Sequence, residues 1–222
     1  MSMAGTDVEV RLGPADAGRC RRRVHLDADP TADRAVQRDP DPGLALRRAD
    51  LADHSNVVHD RLSAVLPLVG GIGASSSSKG GGDSLGAGPD ALGGRPAFVW
   101  GSRLSSADRY GIADLLVRAP DGGYLPVLVR GHRTLDPGEG AECSTFADPL
   151  RVARRPDRRM RAHHADGLAL AHLTRLLDDL GLSSSDRRGG VIGKGGPAVD
   201  PAWDDGSVIV WHRLDRPQEL VG

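Results

Sequence analysis

An aspartate inside an apolar run is the residue in this chain whose surroundings most demand chemistry. Asp114 lies in Gly111-Ile-Ala-Asp-Leu-Leu-Val117, where a carboxylate is costly to bury unless it is paired or metal-bound. Side chains alternate faces along a strand, so Ile112, Asp114, Leu116 and Arg118 are expected on one side. Pro120-Asp121-Gly122-Gly123 reads as a turn, with Tyr124 to Arg130 as the return strand. A turn centred on Asp121-Gly122 sets Asp114 opposite Val129, within a residue of Leu128 and Arg130. The plainer alternative is an aspartate that caps a turn or pairs with a structural arginine.

Other candidates flank this strand pair. His132, Asp136 and Glu139 follow the return strand closely enough to swing toward Asp114 as ligands. His54 and His59 fall in a helical stretch, five residues apart rather than the four that align two ligands on one face; surface histidines are the alternative. Arg151, Arg154, Arg155, Arg158, Arg159 and Arg161 are opposed only by Asp157 and precede His163-His164. Such a stretch suits salt-dependent phosphate contact, or is a solvated loop made arginine-rich by coding bias. Gly73 to Lys79 and Gly189 to Lys194 fall short of a phosphate-binding loop, lacking respectively the Gly before the Lys and the Ser/Thr after it. Cys20 and Cys143 with scattered histidines have no zinc spacing, and His163-His164 alone is a weak signal.

The elements that must position these residues are legible in outline. The chain has 222 residues, with 30 Gly, 15 Pro and a formal net charge of −1. That is room for one sizeable α/β domain with loop-rich appendages, and the overall charge does not announce a nucleic-acid binder. Nearly all positive charge is arginine, since Lys79 and Lys194 are the sole lysines. The start carries no apolar leader segment and no stretch reaches membrane-spanning length, so a reduced, cytoplasmic protein is expected. Val8 to Leu12 alternates, a basic cluster spans Arg19 to Arg23, and Asp27 to Gly43 reads as a loop. A helix is expected from Leu44 to Leu66, with Leu51, Val58, Leu62 and Val65 on one face and Pro67 ending it. Residues 70–94 are a Gly/Ser-rich flexible insertion. It divides residues 1–69 (N-terminal strand, basic cluster, first core helix) from 95–222. The second part begins with the strand Ala97 to Trp100 and holds the hairpin, then an irregular basic stretch from Arg133 to Arg161. A helix follows from Asp166 to Leu180 with Gly181 as its C′ residue, then strands at Val191-Ile192 and Val208 to Trp211. Helix, strands, hairpin, helix and strand make an α/β core with a mixed sheet, not an alternating Rossmann pattern.

The phrase GIADLLVRAPDGGYLPVLVRGHR resembles the hairpin segment of the RecB-type, PD-(D/E)XK-like nuclease family. RCRRRVHLD near the start, RPAFVWGSRL before the hairpin, ADGLALAHLTRLLDDLG after it and VIVWHRLD at the end agree in order. The resemblance covers about residues 8–215, interrupted by the Gly/Ser insertion. It implies a restriction-endonuclease-like core, a mixed β-sheet flanked by helices. It also implies Mg²⁺- or Mn²⁺-dependent deoxyribonuclease chemistry in DNA repair or recombination, in which clustered carboxylates hold the ion and lower the pKa of the attacking water. Carried over, Asp114 matches the first acid, and Arg130 stands where the family has a lysine, keeping the charge but unable to act as a base. The second acid position is Leu128, which cannot ligate. Family members can place a ligand on the first helix, which brings in His54 as a second metal candidate. A Gln and a Tyr of the family's later helix fall on Ala169 and Leu173. DNA is the implied partner, with the 151–161 arginines holding its backbone; other domains of a longer repair assembly are further partners. The alternative is an inactive DNA-binding or scaffold domain on the same fold.

Overall fold

Asp41 starts the first long helix by accepting a 2.9 Å bond from the Gly43 N–H, with Pro42 pre-setting the first turn. The computed structural model describes residues 11–16, 19, 21–29, 31, 41–70, 92–195 and 206–215. The Gly/Ser stretch from 71 to 91, Cys20, Val8 to Val10 and most of the Asp27 to Gly43 loop lie outside these residues. The Arg19 to Arg23 cluster leads into a short helix, α1 (Arg21–Ala28). The long helix, α2, spans Pro42–Ser63, and Val58 and Leu62 bury fully in the core. Val65, expected on that face, is exposed, and Leu66 is buried instead. The helical period ends at Ser63, so spacing beyond it no longer selects the packed side.

The strands are β1 (Leu68–Val69), β2 (Phe98–Ser105), β3 (Tyr110–Arg118), β4 (Tyr124–Val129) and β5 (Leu135–Pro137). Then come β6 (Glu142–Thr145), β7 (Asp148–Arg154) and β8 (Arg158–Met160), the helix α3 (His164–Asp179), and β9 (Arg188–Ile192) and β10 (Val208–Arg213). Eight of them form one mixed, largely antiparallel sheet in the order β1-β2-β3-β4-β9-β10-β6-β7, while β5 and β8 pair separately. β4 and β9 run parallel, and a parallel neighbour needs a crossover, which α3 supplies. α2 packs Val58 and Leu62, and Leu66 just beyond it, on one face against Trp100, Leu115, Val127 and Ile192. α3 packs Leu170, Leu173, Leu176 and Leu177 on the other face against Leu116, Leu128 and Val191. The molecule is therefore an α/β protein whose sheet is flanked by helices. Gly181 takes the left-handed φ expected after α3. Among the described residues no helix is long and apolar enough to cross a membrane.

The stretch from Arg133 to Arg161 is not irregular. It holds β5 to β8, and β6 docks Cys143 against Val208 and Val210 of β10. These strands are short and broken by Gly and Pro, so no periodicity of either kind builds up along them.

The hairpin turn is tied to the far end of α3. Asp121 accepts bonds from the Gly123 and Ser185 N–H groups and from the Ser184 and Ser185 hydroxyls. Hydrogen bonds from Ser185, the largest cause, together with those from Gly123 and Ser184, pull its carboxyl down to about 2. A depressed carboxylate contributes stability that is fully present above the unfolded value near ~4 and is lost as pH falls through the folded value. Asp121→Ala is expected to lose about 1 kcal/mol at pH 7, after allowing for solvent screening of so exposed a group. It should also flatten the loss of stability between about pH 4 and pH 2. Urea unfolding of both proteins at pH 7 and pH 3 checks this.

Candidate functional site

β3 and β4 pair from Arg118↔Tyr124 to Leu115↔Val127 and then part. Beyond that point the Val129 N–H donates to Asp114 Oδ2 at 2.8 Å, so the carboxylate replaces a missing ladder acceptor. Strand alternation breaks at the same place. Leu115 faces the α2 side, whereas Ala113 and Leu116 both belong to the α3-side core. Ile112, Asp114, Leu116 and Arg118 therefore do not share one face. On the neighbouring strand Gly101, between the residues paired to Ala113 and Leu115, adopts φ +66°, a conformation that costs glycine little. Burial pushes the Asp114 carboxyl up, opposed by the Arg130 charge and the Val129 N–H. Solvent still reaches 28% of the side chain.

Arg130 continues β4 through a 2.8 Å bond from its N–H to Ile192 O. Its guanidinium lies 3.9 Å from Asp114 Oδ2, and its Nε donates to Asp166 Oδ1 at 2.9 Å. Asp166 sits in the first turn of α3 with only 5% of its side chain exposed, where the helix dipole favours a negative charge. Two histidines close on the same carboxylate. His132 Nε2 is 3.0 Å from Asp166 Oδ2, and Nδ1 of His163, the N-cap of α3, is 3.7 Å from Oδ1. The two rings stack with centroids 4.3 Å apart. His132 is held by its own backbone, whose carbonyl accepts from the Lys194 N–H at 2.9 Å. His212 of β10 is buried nearby; burial pulls its pKa down, and the Asp166 charge opposes that.

The expected site residues are thus divided. Asp114 and Arg130 come together as the hairpin suggested, and His132 joins them, oriented toward Asp166. His54 lines a cleft of about 370 Å³ on α2 with Asp50, Asp53, Arg61 and Lys194. Burial, and then the Lys194 charge, lower its pKa, and no contact joins it to Asp114. His59 packs edge-on against Trp100, and Asp136 pairs with Arg161 at 3.7 Å. Leu128 is buried in the α3-side core beside Ala169 and Leu173. Among the described residues, one group of three or more possible ligands lies close enough to share an ion: His132, His163 and Asp166. Hard cations such as Mg²⁺ require several oxygen ligands. Positions 114, 128 and 130 offer one carboxylate, already committed to Val129, so the two-carboxylate set expected for Mg²⁺ or Mn²⁺ does not fit there.

Of the six clustered arginines, Arg155 and Arg158 are buried and do not face a ligand. Arg155 grips Asp157 with two 2.9 Å bonds, and Arg158 reaches the same carboxylate at 3.2 Å. Hydrogen bonding from Arg155 is the main reason the Asp157 carboxyl titrates low. Arg151, Arg154, Arg159 and Arg161 are exposed on or just beyond β7 and β8. Sequence reasoning missed Asp166 and set His163 aside as too weak a signal. Their one signal is the His163-x-x-Asp166 spacing at a helix start, which ordinary capping produces equally well.

No family model matches the chain, and no curated protein or solved structure is similar enough to match it.

Proposed function

We propose that this chain is a RecB-type, restriction-endonuclease-like domain that holds DNA backbone but has lost the two-carboxylate centre for cutting it. One observation carries the reading: Leu128, at the second acid position, is 3% exposed in apolar core, while Arg130 at the lysine position is paired to Asp166. The ancestry is supported by the order of helix, strand, hairpin, helix and parallel strand, though that order occurs without any one activity. Asp114 has a structural duty, bonding the Val129 N–H where the strands part. Among the described residues no carboxylate lies within ion-pair distance of the exposed Arg151, Arg154 or Arg159, although Glu142 and Asp136 stand opposite Arg154 and Arg159 across the strands, and phosphate oxygens can reach all three. The competing reading, an active metal-dependent nuclease in repair or recombination, draws on the survival of Asp114 beside a cation.

End-labelled single- and double-stranded DNA, incubated with Mg²⁺ or Mn²⁺ beside an Asp114→Ala control, separates the two. The expected result is no cleavage above the control. Retention of DNA should persist in both proteins, with log K falling against log salt at a slope of about −3 for three phosphate contacts. Arg151→Ala/Arg154→Ala/Arg159→Ala should remove most of that slope. Metal-dependent cleavage lost in Asp114→Ala would establish the nuclease instead, and absence of retention would leave a scaffold.

A further inference from the structure

We infer that His132, His163 and Asp166 form a site for a borderline divalent ion of the Zn²⁺ class, separate from the metal centre expected at Asp114. One ring nitrogen of His132 has a hydrogen-bond partner and the other has none. Nδ1 lies 3.1 Å from the Arg133 carbonyl oxygen, which only accepts, and a ring that donates there from Nδ1 leaves Nε2 as the atom able to ligate. That Nε2 is buried and makes no hydrogen bond, although Asp166 Oδ2 is 3.0 Å away. A buried ring nitrogen and a carboxylate oxygen thus face each other with no hydrogen bond aligned between them. A cation bonded to both would satisfy the two atoms together.

The remaining geometry suits an ion. The three ligand atoms lie within 4.8 Å of one another. Zinc–ligand bonds of about 2.0–2.2 Å place such atoms roughly 3–4 Å apart, so a small rotation of the exposed His163 ring completes the set. Arg130 holds the other carboxylate oxygen at 2.9 Å, the outer contact that typically orients a ligating carboxylate. Two imidazoles and one carboxylate select Zn²⁺, Co²⁺ or Ni²⁺ over Mg²⁺. Three protein ligands leave a position open, and His163, half exposed, borders it. An anionic oxygen such as that of a phosphate is the chemical class fitted to that position.

The test uses the full chain, freed of metal with chelator and titrated with Zn²⁺ by calorimetry. Co²⁺ substitution is followed by its visible absorption. One Zn²⁺ per chain at micromolar or tighter affinity is expected, with no saturation by millimolar Mg²⁺. His132→Ala should weaken binding at least tenfold. His163→Ser should do the same with its thermal midpoint unchanged or raised, because serine is a good N-cap, which separates metal loss from misfolding. His172→Ala, on the same helix but bonded to Tyr110 O, should bind like the parent. Zn²⁺ binding that survives both His132→Ala and His163→Ser, or no saturable binding in the parent, overturns the site. Neither result bears on DNA retention, which rests on the β7 and β8 arginines.

Discussion

Leu128→Glu is expected to destabilise the domain by about 5 kcal/mol, the sum of lost apolar burial and a carboxyl placed without partners in apolar surroundings. Leu128 is 3% exposed and packs with Leu170, Leu173 and Val191 beneath α3. The comparison variant Leu128→Ala should cost about 3 kcal/mol from the cavity alone. At roughly 2–4 °C per kcal/mol for a domain of this size, the glutamate variant should melt about 10–20 °C below the parent. Urea unfolding gives the difference directly. A glutamate that cost less than the alanine would mean that position 128 opens toward solvent or an ion. The lost-centre reading would then fail, because the second acid position would be available after all. No cleavage is expected from Leu128→Glu, since Arg130 still occupies the space beside Asp114.

Asp166→Ala is the second large effect, expected at about 3 kcal/mol because truncating one member of a buried pair leaves its partner uncompensated. Asp166 is 5% exposed and Arg130 26% exposed, so the loss falls at the low end of that range. The same carboxylate faces His132 and His163, and its removal leaves the Arg130 guanidinium with the Val129 carbonyl at 3.1 Å and Asp114 at 3.9 Å. Arg130→Met combined with Asp166→Ala should recover about 1–2 kcal/mol of the single-variant loss, since both charges then leave together. A double-mutant cycle by urea unfolding at pH 7 provides the coupling. A coupling near zero would show that Asp166 serves the helix terminus alone and that the cluster does not act as a unit.

The parts legible beforehand were those written in local sequence. The hairpin could be read because Pro120-Asp121-Gly122-Gly123 sits between two apolar runs, and its register placed Asp114 beside Val129 and Arg130. α3 could be read because its leucines recur at helical spacing. The β5 to β8 region was hidden because three- to seven-residue strands separated by Gly and Pro carry too few residues for a period. The arginines of that region were misjudged for a related reason. Composition counts Arg155 and Arg158 as cations for a ligand, whereas Asp157 between them in sequence holds both in the interior.

The sequence by itself determined the two long helices, the hairpin, the α/β class and the meeting of Asp114 with Arg130, because each depends on spacing within one element or across one short turn. Only the tertiary structure decided what that meeting became. Asp166 and His163 are more than thirty residues from Arg130 in the chain, and they reach it because α3 must cross over the sheet for β9 to lie parallel to β4. The same crossover lays α3 over Leu128, closing one expected ligand position in apolar core, while the start of α3 brings a different carboxylate and the His163 imidazole up to His132.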